Sequence, residues 1–245
     1  MTTGQRQPDG GSSFVIAIDG PSGTGKSTVA RRVAEVLGAG YLDTGALYRI
    51  VALHVLESGI DPQDAPAVAE SLQGLDFPSP TDPRQQHQEL DGQDVTGRIR
   101  DADVTAAVTP VSANPAVRAF LLDRQRILAA SGRMVVEGRD IGTVIVPDAT
   151  VKIYLTADAL ERARRRFRQT VGAGAPQPEA VADEVDHEAV AAVARDLDRR
   201  DTLDSSRQHA PLQAATDAVV IDSSALGVDE TVAAVLELAA ARGIS

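Results

Sequence analysis

Residues 14–28 read Phe14-Val-Ile-Ala-Ile-Asp-Gly-Pro-Ser-Gly-Thr-Gly-Lys-Ser-Thr28. The apolar run Phe14 to Ile18 predicts a strand, and Val29, Val33, Val36 and Leu37 recur at helical spacing beyond it. Between them Gly20, Pro21, Ser22, Gly23, Thr24, Gly25, Lys26 and Ser27 match the phosphate-binding loop in its required context, strand before and helix after, with Thr28 continuing into the first turn. Glycines let consecutive backbone N–H groups turn inward around an anion. Lys26 reaches the outer phosphates, and the Ser27 hydroxyl is placed to ligate Mg2+. The helix that opens here points its positive dipole end at the same anion. The chain has only two lysines, Lys26 and Lys152, and one stands at the loop's obligatory position. Its side chain is expected to be solvated until a phosphate arrives.

Strands alternate with helical patterns along the rest of the chain, which predicts an α/β fold with a central parallel sheet and ligands at the carboxyl ends of its strands. Tyr41 and Leu42 form a short strand ending in Asp43-Thr44-Gly45. A helix from Ala46 to about Glu57 turns Leu47, Ile50, Val51 and Val55 inward. From Asp61 to Arg100 the composition shifts toward Pro and Gln. A helix near 65–73 and short strands near 74–77 and 88–95 are expected there, with Leu75, Phe77, Leu90 and Val95 to bury. Residues 61–100 thus read as an insertion in a core of 14–60 and 101–245, behind a polar tail of 1–13.

Asn114-Pro115 starts a helix, a capping side chain followed by proline at the first position, with Val117, Phe120, Leu121, Ile127 and Leu128 on its buried face. Met134 to Val136 and Val151 to Leu155 are strand runs. Helices follow at about 158–170 and 179–201. Ala218 to Ile221 is the last strand, and Asp229 is expected to cap a final helix that buries Val232, Val235, Leu236 and Ala239.

A chain of 245 residues, 43% hydrophobic, can bury one large core or a core plus a smaller unit. The absence of cysteine excludes disulfides and thiolate metal sites, and His54, His87, His187 and His209 show no ligand spacing. No apolar stretch approaches roughly 18 residues and no cationic-apolar leader is visible, so a cytoplasmic protein is expected. A net charge of −11 argues against nucleic acid and anionic membranes as partners. A monomer is expected.

In a parallel sheet the phosphate loop, Asp43-Thr44-Gly45 and Gly138-Arg139-Asp140 emerge at one edge, and Arg49 lies one helical turn beyond Gly45. Singly, each has an ordinary explanation: Arg49 as a solvated helix residue, Arg139-Asp140 as a structural ion pair. Together with the loop they suggest a second anion pocket. Arg162, Arg164, Arg165, Arg166 and Arg168 form the densest positive run. Arg162, Arg165 and Arg166 share one helix face and Arg164 and Arg168 another, so no single pairing scheme neutralises them. A solvated helix face would explain this run. So would a mobile arginine-bearing lid hinged at Gly172 to Pro176, since phosphoryl transfer gains most from positioned positive charge and exclusion of water. In Arg200-Asp201-x-x-Asp204-x-x-Arg207, Asp204 can accept from a ribose while Arg200 and Arg207 reach a phosphate.

Five segments, in this order, resemble the bacterial cytidylate kinases, P-loop enzymes that phosphorylate CMP and dCMP from ATP. They are IDGPSGTGKST (18–28), YLDTGALYR (41–49), DVTGRIR (94–100), EGRDIGTVIVPDATVKIYL (137–155) and RDTLDSSRQHAPL (200–212), and the resemblance spans about residues 14–243. It implies a P-loop NTPase three-layer fold, an inserted CMP-binding domain at 61–100 and a helical lid at about 158–187. By the same resemblance, residues 20–28 bind ATP and Ser27 receives its Mg2+. Thr44, Arg49, Arg139 and Arg207 hold the acceptor phosphate. Thr109, Arg118 and Asp140 read cytosine, and Arg200 with Asp204 holds the pentose. Lys26, Arg139, Arg200 and the lid arginines Arg162 and Arg165 are the implied catalytic charges. Asp101-Ala102-Asp103 departs from the Thr-x-Glu often found there, which puts the local loop geometry in question. A GTP-operated switch would need an Asn/Thr-Lys-x-Asp motif, which two lysines at 26 and 152 cannot supply. A small-metabolite kinase would not need the insertion. A non-enzymatic nucleotide-binding scaffold would share the loop without turnover.

Overall fold

In the computed structural model, residues 13–172, 187–207 and 210–245 are described. In chain order these form β1 (Phe14–Asp19), α1 (Lys26–Leu37), β2 (Gly40–Asp43), α2 (Thr44–Glu57) and α3 (Ala65–Ser71). A hairpin of β3 (Glu89–Leu90) and β4 (Gln93–Asp94) and a 3-10 turn at Arg98–Arg100 lead to α4 (Ala102–Ala113) and α5 (Pro115–Ala129). β5 (Arg133–Gly138), a π turn at Ile141–Ile145, β6 (Val151–Thr156), α6 (Ala159–Gly172), α7 (His187–Ser205), β7 (Val219–Asp222) and α8 (Val228–Ala240) complete the order.

The central sheet runs β2-β5-β1-β6-β7, all parallel. Period-two alternation divides its side chains between two apolar clusters. Ile16, Ile18, Tyr41 and Val135 face α1 and α8, whereas Ala17, Leu42, Met134 and Val136 face α2, α4 and α5. This is the three-layer α/β architecture. Its register sets Asp19 opposite Gly138 and Asp43 opposite Glu137, so the carboxyl ends of β1, β2 and β5 meet on one edge.

The apolar residues of 61–100 do not form a separate core. Val68, Phe77, Leu90 and Val95 are buried in the cluster that also holds α2, α4 and α5. The strand expected at 74–77 does not form. Phe77 is held instead by Arg124, whose guanidinium lies 4.6 Å over the ring and donates to the Phe77 carbonyl while pairing with Asp76. Side-chain anchoring there replaces a strand partner.

α4 was not visible in the sequence pattern, because valine and threonine favour strands and Pro110 lies inside the helix. It is started by Asp101, while Arg98 reaches Asp103 at 2.6 Å and Asp101 at 3.3 Å. The two acids of Asp101-Ala102-Asp103 therefore bind the preceding arginine. On α5, Asn114 accepts from the Ala116 N–H at 2.9 Å, as expected, but Ile127 is 72% exposed. The buried stripe runs Val117, Leu121, Gln125, Ala129, and 127 falls outside that four-residue step. The last helix begins two residues earlier than a cap at Asp229 would allow, with Gly227 as its cap. The Gly227 N–H donates to Glu230 at 2.7 Å, and Asp229 pairs with Arg32 at 2.5 Å. The expected helix at 179–201 is seen from His187 onward; its earlier part, the hinge beyond Gly172 and the tail before Ser13 lie outside the described residues.

Gly20 controls how the loop leaves β1. Its φ is 145°, and a Cβ there would stand 2.0 Å from the Leu155 carbonyl oxygen of β6. Gly20→Ala is expected to cost about 3 kcal/mol or more, a Tm loss of roughly 6–12 °C by thermal unfolding. Gly38→Ala, at φ 57° with no atom within 4 Å of its Cβ, should cost only about 1 kcal/mol. Equal losses would show that the Leu155 contact does not constrain the loop.

Candidate active site

Above the sheet edge lies a cavity of about 890 Å³, walled by the phosphate loop, the starts of α1 and α2, the end of β5, and residues of α4, α6 and α7. Gly25 takes φ 90° and starts α1 directly at Lys26, so the helix N-terminus opens into the cavity. Lys26 does not stand in solvent as expected. It is buried, and its Nζ donates to the Pro21 carbonyl at 2.7 Å. An ammonium has to keep hydrogen-bond acceptors when it leaves water, and the loop's own carbonyl supplies one. Burial, reinforced by Arg139, lowers its pKa to about 7.

Thr44 begins α2 and donates from Oγ1 to the Glu137 carbonyl at 2.7 Å. Glu137, the penultimate residue of β5, is buried and bonded by the Tyr41 hydroxyl. Burial and the neighbouring Asp43 carboxylate raise its pKa to about 7. Arg49 crosses to the Ile99 carbonyl at 3.0 Å and Thr105 Oγ1 at 2.9 Å, which fixes the 3-10 turn and α4 beside α2. Its pKa falls to about 9, through burial first and then through Arg200, Arg166 and Arg100. A cluster of guanidiniums facing a cavity is poised for a polyanion.

Farther from the loop the lining alternates in charge. Arg118 pairs with Asp140 and lies 5.6 Å over the Tyr48 ring. Arg207 pairs with Asp204 at 2.5 Å and donates to Ser112 Oγ at 2.8 Å. Arg139 donates to Asp204 at 3.1 Å, to the Gly20 carbonyl at 3.0 Å and to Ser22 Oγ at 2.6 Å, and so touches both halves of the site. Burial raises the pKa of Asp140 and lowers those of Arg200 and Arg207.

Of the residues singled out in the sequence, Ser22, Gly23, Gly25, Lys26, Ser27 and Thr28 line the cavity. Thr44, Arg49, Thr109, Arg118, Arg139, Asp140, Arg200, Asp204 and Arg207 line the same cavity. Gly20, Pro21 and Thr24 shape the loop from beneath. Arg162 and Arg165 lie outside the lining. Arg162 donates to the Ser22 carbonyl at 3.1 Å and pairs with Asp201. Arg165 donates to the Thr24 carbonyl at 3.3 Å, the Ser223 carbonyl at 2.6 Å and Glu161 at 3.0 Å. Pairing therefore does neutralise part of the arginine run, through Glu161 and Asp201. From α6 it is Arg166 that faces the cavity, together with Gln169.

Sequence reasoning also passed over Asp19, Tyr48, Arg100, Ser112 and Glu137, and gave Asp43 no role of its own. All but Ser112 stood inside the quoted motifs, and for Asp43 and Glu137 the place at a strand end was the usable signal. Asp19 accepts the N–H groups of Ile141 and Gly142, both at 2.8 Å. Nothing local in the sequence pairs it with a segment 122 residues away.

Lys26 and Glu137 lie together with pKa values near neutrality. An arriving polyanion favours the charged lysine and disfavours the charged carboxylate, so it raises both pKa values. Binding of Mg2+-free ADP between about pH 7 and 8 is expected to take up protons. Calorimetry in buffers of different ionisation enthalpy measures the uptake. Zero uptake or net release contradicts this electrostatic picture.

Comparison with known proteins gives one consistent result. The family model described as Cytidylate kinase matches residues 16–241. The chain is 51% identical over 226 residues to the cytidylate kinase of Rhodococcus opacus (strain B4), covering 92% of this chain and 94% of that protein. It is 54% identical over 211 residues to that of Mycobacterium avium (strain 104), covering 86% and 88%. With the cytidylate kinase of Corynebacterium diphtheriae (strain ATCC 700971 / NCTC 13129 / Biotype gravis) the identity is 47% over 232 residues, covering 94% and 95%. A family match over residues 16–241, with relatives about half identical across most of their length, means that this chain belongs to the cytidylate kinase family.

Proposed function

We propose that this protein transfers the γ-phosphate of ATP to CMP or dCMP, releasing ADP and CDP or dCDP. The observation that carries this reading is that the phosphate loop and the arginine-aspartate wall line one cavity. Donor and acceptor phosphates bound there would face each other. On this reading the loop residues 20–28 hold the donor, and Thr44, Arg49, Arg139 and Arg207 hold the acceptor phosphate. Thr109, Arg118 and Asp140 read the base, and Arg200 with Asp204 holds the pentose. Gly97 and Arg100 reach the lining from 61–100, which supports that segment as part of the acceptor-binding unit. Arg166 and Gln169 support α6 as part of a lid.

The acceptor phosphate is already anionic near pH 7, so no protein nucleophile is needed. The loss of a bond to ADP and the gain of a bond to the acceptor oxygen occur in line, and Lys26, Arg139 and Arg200 stabilise the charge spread over the equatorial oxygens. Arg49 and Arg166 add positive charge at the same place. Arg162 and Arg165, bonded to loop carbonyls, act through the position of the loop. Asp140 recognises and does not serve as a base.

The Ser27 hydroxyl is hydrogen-bonded to Glu137 and shares the cavity lining with Asp43, oxygen donors of the kind that suit Mg2+. Among the described residues no group of three or more His, Asp or Glu is placed to hold a metal. When bound, Mg2+ neutralises charge on the donor phosphates. No helix among the described residues is long and apolar enough to cross a membrane. Together with the net charge of −11, this supports a cytoplasmic enzyme of small molecules that does not bind nucleic acid.

A coupled ADP-release assay across CMP, dCMP, UMP, AMP and shikimate tests the reading. Turnover should be confined mainly to the two cytosine nucleotides, and preference for any other acceptor would overturn it. Lys26→Ala is expected to lower kcat about a hundredfold or more, since a positioned donor to the transition state contributes about 3 kcal/mol. Wild-type rates in the purified variant would remove the loop from the mechanism.

Asp140→Asn tests base choice. A carboxylate accepts from the cytosine amino group and Arg118 can donate to N3 and O2, whereas uracil would leave buried partners unpaired. The variant should narrow the CMP-to-UMP ratio of kcat/KM about tenfold or more, mainly by weakening CMP. An unchanged ratio would take Asp140 out of base recognition.

A further inference from the structure

Ser22 is held on all three of its polar groups by charged side chains from three separate segments. Its N–H donates to Asp201 Oδ1 of α7 at 3.2 Å. Its carbonyl accepts from Arg162 of α6 at 3.1 Å, and its hydroxyl oxygen accepts from Arg139, just beyond β5, at 2.6 Å. Asp201 and Arg162 are also paired with each other, with side chains 15% and 12% exposed. The peptide of Ser22 is thereby closed into a bracket. The next residue is packed as tightly, since a Cβ on Gly23 would stand 2.9 Å from the Arg162 carbonyl oxygen.

One turn of α7 serves both sides of the bracket. Arg200 and Asp204 line the cavity, whereas Asp201 lies outside the lining and turns to the loop. Arg139 completes the circuit from the acceptor side by holding Asp204 at 3.1 Å and Ser22 Oγ at 2.6 Å. A shift of the loop at Ser22 therefore displaces the helix that carries two of the proposed acceptor contacts. Buried charged hydrogen bonds suit this transmission, because solvent and salt screen them little and their geometry is directional.

We propose that Asp201 is a positioning residue that couples donor and acceptor binding by tying the phosphate loop, through Ser22 and Arg162, to α7. It rests on the reading of the cavity as an ATP–CMP site. Asp201 lies outside the cavity lining and touches the donor loop only from behind, at the Ser22 N–H, so its effect is on how each site senses the other. Such coupling is a free energy shared by two ligands and reads out as a ratio of affinities.

Calorimetric titration of CMP, with and without the non-hydrolysable analogue β,γ-methylene-ATP, measures that ratio. In the wild type the analogue should tighten CMP about fivefold or more. Asp201→Asn keeps an oxygen for the Ser22 N–H but removes the charge opposite Arg162. In it the factor should fall to about twofold or less, while the affinity of the analogue alone changes by less than about threefold. Arg162→Lys keeps the charge but lacks the planar fork that serves Ser22 and Asp201 together. It should lose coupling to a similar extent, and it carries the measurement if the first variant does not fold. The double variant should lose no more than either single one. General destabilisation would not move this ratio, because it is taken within each protein. An active wild type whose coupling is untouched by both variants, or that shows none, overturns the role of Asp201 alone. A wild type that binds the analogue but does not phosphorylate CMP overturns both this proposal and the functional reading beneath it.

Discussion

Asp19 joins the two halves of the site. Its carboxylate receives two consecutive backbone N–H groups, those of Ile141 and Gly142, at 2.8 Å each. The parallel register that sets Asp19 opposite Gly138 makes this possible. The last residue of the central strand thereby holds the turn that carries Arg139 and Asp140, directly beside the loop that begins at Gly20. Burial raises the Asp19 pKa to about 6, and the two N–H groups oppose that rise. Hydrogen bonds to a charged acceptor contribute about 1.5–3 kcal/mol each, enough to keep an ionised carboxylate in this setting at pH 7. Without it both amides would be buried unpaired, and the relation of Arg139 to the phosphate loop would rest on its own bonds to the Gly20 carbonyl and Ser22 Oγ.

On that frame the protein assembles a cationic pocket in a chain of net charge −11. The device is alternation. Arg118 with Asp140, and Arg207 and Arg139 with Asp204, hold each other in place without ligand. A guanidinium has five N–H donors, and pairing with one carboxylate leaves several for a phosphate or a base. The carboxylates orient and the spare donors remain. Burial lowers the pKa values of Arg49, Arg200 and Arg207, which expresses the same point energetically: these cations are short of solvation before an anion arrives. Dipoles and charges set in advance need little reorganisation when charge develops on a transferring group.

Much of this was legible in residue order. The glycine spacing of 20–25, the lysine at 26 and the apolar runs at 14–18 and 134–136 depend on local backbone geometry and period, and the structure has the strand, loop and helices they imply. Asn114-Pro115 was readable for the same reason. Errors arose where a side chain's environment came from distant residues. Lys26 is buried, bonded to the Pro21 carbonyl and within the field of Arg139, Glu137 and Asp201, which lie far from it in the chain. The strand expected at 74–77 is absent because Arg124 supplies the partner. α4 escaped notice because its propensity is poor and tertiary packing forms it. Its Val104, Val108 and Val111 are buried against α2 and its neighbours.

The sequence alone settled the chemistry available: a loop for phosphates, a supply of arginines and aspartates at strand and helix ends, and a family whose motifs occur in order. It could not choose among the arginines of α6. Arg162, Arg165 and Arg166 share a helix face by spacing, yet Arg162 and Arg165 bind loop carbonyls and Arg166 lines the cavity. That choice depends on where α6 crosses the phosphate loop, and the crossing is set by contacts with Asp201 and Ser223 far away in the chain. Helical period gives direction around one axis only; the position of a neighbouring surface comes from packing, so it was decided by the folded molecule.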